Sequence, residues 1–194
     1  MNEAPGMDVI TILKITQTSE HFLKLDYISA SQGLTYGLLR QSKKSNYSAH
    51  ADLFDTAEIF CEAANHSKQK FLKSYRPILK RSAIGNNYKQ LEYACHFATF
   101  LLDNVVDVPD PSDLYTLTKE TLDAFEQKFC PEIILLKALY RFLKTEGFPV
   151  DSGWWKSLTK ENKCRANILL TTPLAEFGDS LDLKSTITLS LIHI

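Results

Sequence analysis

No Cys-x-x-Cys pair occurs in the 194 residues: Cys61, Cys95, Cys130 and Cys164 stand far apart, so no zinc ribbon can be drawn from them. Glycine is scarce, with seven in all. None of the seven builds a Gly-rich phosphate loop, and neither Gly-x-Ser-x-Gly nor His-Glu-x-x-His is present, so the usual nucleotide, esterase and zinc-peptidase sites are missing. Cys61 with His66, and Cys95 beside His96, are the nearest thiol and imidazole neighbours, but nothing marks an orienting acid for either. No enzyme, cofactor or bound metal is expected. Long apolar runs are lacking too: the longest stops well short of the ~20 residues that a membrane span needs. Met1 to Asp8 is polar and has no apolar signal core. A cytoplasmic protein with free, buried thiols and no membrane contact is therefore expected.

What is present is a chain that is 44% hydrophobic, enough for one substantial core or two modest ones. Its net charge of −1 hides an asymmetry. Between Arg40 and Lys89 stand ten cations against four acids, a local excess of +6. Such a block suits a module that binds a polyanion, and a solvated basic face is the alternative.

The front of the chain reads as strands. Val9 to Thr16 and Phe22 to Ser29 are rich in β-branched and aromatic residues and flank a polar turn. Leu34 to Gln41, Leu53 to Cys61 and Lys70 to Lys80 follow as three more. Five short strands in about eighty residues fit a small barrel better than an open sheet with bare edges. From Tyr88 the period changes: Leu91, Ala94, Cys95, Ala98, Leu101, Leu102 and Val105 recur at three and four, one face of a helix. Asp110 as N-cap with Pro111 behind it opens a second helix. The third, from Pro131 to the stop at Gly147-Phe148-Pro149, is apolar around most of its circumference and reads as a central helix. Gly153-Trp154-Trp155 reads as a turn with aromatic anchors, and Asn162 to Leu170 as a further helix. The tail from Asp182 to Ile194 carries both helical and alternating spacing, with helix favoured. The fold class expected is α+β: a five-stranded OB-like β-barrel over residues 1–85, followed by an all-α helical domain over 86–194.

Small barrels hold single-stranded nucleic acid by joining a cationic groove to aromatic faces on which bases stack. The candidate DNA contacts are Arg40, Lys43, Lys44 and Tyr47 in the loop after the third strand, with Lys70, Lys73, Arg76, Lys80 and Arg81 on and after the fifth. Strict alternation would turn Phe71, Lys73 and Tyr75 to one face and Lys70, Leu72, Ser74 and Arg76 to the other. One face must be core, so Phe71 and Tyr75 are either stacking platforms or core residues with Lys73 at the rim. Lys137, Arg141 and Lys144 form a stripe on the central helix. It suits a phosphate or an acidic peptide, or else a solvated edge with pairing to nearby acids.

The order of these features resembles the RecO family of bacterial recombination mediators. The similar segments are Ile12-Leu-Lys-Ile, the Glu-bearing turn Thr18-Ser-Glu20-His, Phe22 to Ile28, Gly33 to Arg40 with the basic Lys43-Lys44-Ser45, and Leu53 to Cys61. In the helical part Leu143-Lys-Thr-Glu-Gly147-Phe148-Pro149 is similar to the family's closing motif. The resemblance implies an OB-fold that binds single- and double-stranded DNA, a helical domain, and strand annealing without catalysis. It also implies two partners, RecR and the acidic tail of the single-strand-binding protein, and places Arg40, Lys43 and Lys44 in the family's basic loop. Where many members carry zinc-binding cysteines, this chain reads Asp151-Ser-Gly-Trp-Trp-Lys-Ser-Leu, so no zinc is expected. The alternative is a protein-interaction scaffold that keeps this architecture and has lost DNA binding.

Overall fold

The computed structural model describes residues 6–40, 50–63, 70–105, 110–150 and 152–177. Five strands, β1 (Gly6–Gln17), β2 (Phe22–Ser29), β3 (Gly33–Arg40), β4 (Thr56–Ala63) and β5 (Lys70–Leu79), close into a barrel in the order β1-β2-β3-β5-β4. All neighbours run antiparallel except β3 and β5, which run parallel. This is the OB-like barrel, and helices follow it. β1 pairs with β4 along one edge and with β2 along the other, and its register against β2 shifts between Ile12 and Lys14. The extra residue, Leu13, breaks the alternation there, so Ile12 and Leu13 are buried in succession.

Ile10, Ile12, Leu25, Tyr27, Ala57, Ile59 and Leu72 form the barrel core. Gly37 lies against that packing: a β-carbon there would lie 2.8 Å from Leu72 Cδ2, so Leu72 would have to shift. A polar seam accompanies the core. The buried Thr11 and Thr56 hydroxyls are 3.0 Å apart, and Arg81 Nη1 donates to Thr56 Oγ1 at 2.9 Å and to the Phe54 carbonyl at 2.7 Å.

The helices are α1 (Ser82–Gly85), α2 (Tyr88–Asn104), α3 (Pro111–Glu126), α4 (Pro131–Thr145), α5 (Trp154–Ser157) and α6 (Lys160–Thr171). A 3₁₀ turn at Leu174–Glu176 follows. Their ends follow from local chemistry. Asn87 Oδ1 accepts from the Lys89 and Gln90 amides, Asp110 Oδ1 from the Ser112 amide, and Thr159 from the Asn162 amide. The Ser112 bonds hold the Asp110 carboxyl below its usual range. Gly147, at φ 75°, ends α4, and the Phe148 amide returns to the Leu143 carbonyl at 2.9 Å. Nine of the fifteen residues of α4 are buried, which makes it the central element of its surroundings. Where a turn was expected, Trp154 starts the one-turn α5 and is buried, its ring 6.2 Å from that of Tyr140.

Two compact units can be told apart: one holds the described residues of 1–81 and 98–119, the other those of 82–97 and 120–194. The second half of α2 and the first half of α3 thus group with the strands. No described helix is long and apolar enough to cross a membrane. The tail over 182–194 lies outside the described residues.

Candidate nucleic-acid interface

The outward side of β2, β3 and β5 is where chemistry gathers. On β2, Leu23, Leu25 and Tyr27 pack on the barrel core, so Phe22, Lys24 and Asp26 take the opposite face. On β3 their register partners are Arg40, Leu38 and Tyr36. Leu38 in turn pairs with Phe71 of β5. The Phe22 and Phe71 rings therefore meet edge to face, 6.0 Å between centroids. Lys24 lies 4.7 Å from the centre of the exposed Tyr36 ring and donates to Asp26 at 2.7 Å. Two residues beyond Leu38 and Phe71 on their parallel strands come Arg40 and Lys73, both exposed. A row of aromatic rings bordered by cations is what a stacked single strand requires.

Strict alternation along β5 fails, and the physical reason is a bulge. Phe60 pairs with Ser74 while Cys61 pairs with Leu72, leaving Lys73 as an extra residue. Leu72 and Tyr75 consequently both turn inward, and Phe71, Lys73 and Ser74 stay outside. Tyr75 is a core-side residue whose hydroxyl donates to Asp55 Oδ2 at 2.8 Å. Burial, then this bond, pushes its phenol far above the ordinary value. Of the two aromatic candidates on this strand, Phe71 alone shares a face with Lys73.

The cations singled out from the sequence divide sharply. Arg40 and Lys73 border the aromatic row. Lys70 donates to Gln32 Oε1 at 2.7 Å, and Arg76 pairs with Glu58 on β4. Lys80 is exposed just past the end of β5. Arg81 corrects the expectation: it is 2% exposed and its guanidinium is spent on Phe54 and Thr56, so it belongs to the barrel and not to a phosphate-binding surface. Lys43, Lys44 and Tyr47 lie outside the described residues. The residues missed were Phe22, Lys24 and Tyr36. The signal for them was the period of two opposite Leu23, Leu25 and Tyr27.

The stripe on α4 is not the uniform cationic surface that its spacing suggested. Lys137 is half-buried and donates to the Leu170 and Thr172 carbonyls at 3.1 and 2.6 Å, and burial lowers its pKa. Arg141 pairs with Glu120. Lys144 is exposed, 5.8 Å from the centre of the Tyr140 ring. Among the described residues, no three His, Cys, Asp or Glu side chains gather as a metal site would need.

Comparison with family models gives no match, and comparison with curated proteins gives none either.

Proposed function

We propose that the protein is a non-catalytic, cytoplasmic DNA-binding factor that holds single strands on its OB-like barrel, acting in repair and recombination in the manner of the RecO family it resembles. The observation that carries this is the outward face of β2, β3 and β5, where Phe22, Tyr36 and Phe71 stand with Lys24, Arg40 and Lys73. Rings offer stacking to any base and cations offer attraction to phosphate, so affinity would be salt-sensitive and little dependent on sequence. Double-stranded DNA would use the cations alone. RecR and the acidic tail of the single-strand-binding protein follow from the resemblance as proposed partners. Since Lys137 and Arg141 have intramolecular partners, the α4 stripe gives the scaffold reading little support.

Salt-titrated binding of a fluorescent oligothymidine tests the proposal in two arms. Replacing Arg40, Lys43 and Lys44 with Ala should reduce the slope of log K against log salt by about 2 to 3. Tyr36→Ala should weaken binding about tenfold with the slope unchanged, as the loss of one stacked base does. Wild-type affinity and slope in both variants would remove the assignment.

A further inference from the structure

The second compact unit contains a cavity of about 360 Å³, within the size range of small-molecule sites. It lies between the start of α2, the α3–α4 junction and the 3₁₀ turn. Phe129, Phe177, Lys89 and Lys128 are among the residues that line it. Gln90 lines it as well, at 4% exposure. Its Nε2 donates to the Phe129 carbonyl at 2.7 Å, which fixes the orientation of the amide. Its Oε1 is buried and accepts no hydrogen bond, the only buried side-chain polar atom among the described residues in that condition. A buried acceptor with no donor costs about 1–3 kcal/mol, and the ordinary remedy is a partner that brings an N–H or O–H.

The remaining chemistry narrows what that partner is. Glu132, the nearby acid, is already committed: it pairs with Lys89 and accepts from the Cys130 thiol at 3.3 Å. Burial raises its pKa, but Lys89, the local backbone and Cys130 outweigh that and hold it ionised. The Lys89 side chain nevertheless remains 59% exposed, and Lys128 is exposed too. With Glu132 offsetting Lys89, Lys128 leaves the lining with a net positive charge, which favours an anion, and the two phenylalanines in the lining suit a flat body.

We propose that this cavity binds a small planar anion carrying an N–H donor. The donor satisfies Gln90 Oε1, the body lies against Phe129 and Phe177, and the phosphate or carboxylate faces Lys89 and Lys128. This proposal does not rest on the strand-binding reading, and its failure would leave that reading intact.

The cysteines provide the readout. Cys130 lines the cavity and is half-buried, whereas Cys164 on α6 is exposed and serves as reference. Iodoacetamide labelling of the full chain, followed by mass spectrometry, is run with adenosine monophosphate, N-acetyltryptophan or inorganic phosphate at about 1 mM, in the range of modest affinity. One of the first two should slow Cys130 labelling about threefold and leave Cys164 unchanged, because a bound ligand blocks access to the thiol. Protection by the nucleotide identifies a phosphate ligand, and protection by the acylated amino acid identifies a carboxylate. Gln90→Met should abolish the protection. Lys128→Ala, at an exposed position where folding is not at risk, should reduce it by a similar factor. The proposal is overturned by equal slowing at Cys164, by no protection, by protection from inorganic phosphate alone, or by undiminished protection in Lys128→Ala.

Discussion

Arg81 shows how a side chain that looks like a ligand-binding cation can belong to the interior. Its guanidinium reaches Phe54, whose φ of 66° is unusual for a bulky residue, and Thr56, so it ties the end of β5 to the turn before β4. Arg81→Met should lower stability by about 2–3 kcal/mol in urea unfolding, the scale of lost hydrogen bonds from a buried charged donor. Asp55 offers a second test. It is raised above its ordinary value of 3.8 by burial, with the Tyr75 hydroxyl and the Asp52 amide pulling the other way. The folded state then holds this proton more tightly than the unfolded chain, so the contribution of Asp55 to stability declines as pH rises from 3.8 through its folded pKa. Asp55→Asn should remove that decline. The difference in urea midpoint, variant minus wild type, should therefore grow as pH rises from about 4 through the folded pKa of Asp55 and then level off. Neither role was legible in the sequence, where Arg81 merely extended a basic run. Burial of one charge depends on contacts with residues some 25 positions away, and local composition carries no trace of them.

At the scale of elements, most boundaries could be read because they rest on short-range chemistry. Asp110 and Pro111 open α3, Gly147 closes α4, and β2 spans the expected Phe22–Ser29. β5 was harder, since its bulge at Lys73 depends on the register of β4 and not on its own residues. The short α1 was missed for the same reason. Four residues make no period, and its start is held by Glu126 from the end of α3, whose carboxylate accepts from the Ala83 and Ile84 amides at 3.3 and 3.1 Å. Glu126→Ala should cost about 1–2 kcal/mol and speed hydrogen exchange across residues 82–85, while exchange in β2 stays at the wild-type rate.

For the molecule as a whole, the barrel-then-helices plan was visible because the hydrophobic period changes near Tyr88. The compact units were not, because which half of α2 or α3 groups with the strands is decided by packing and leaves no mark in spacing. The closed sheet also sets a kinetic expectation. Its β1–β4 and β3–β5 pairings are distant in sequence, so refolding after stopped-flow dilution should take milliseconds to seconds, about the range of barrels rich in non-local contacts, and not microseconds. The join between β1 and β4 matters before folding is ever complete. Thr11 meets Thr56 across 45 residues, so while the ribosome is still making the turn ahead of β4, the emerging β1 presents one bare edge to its surroundings. Chaperone capture of nascent chains should peak at that length and subside once β4 and β5 have cleared the exit tunnel.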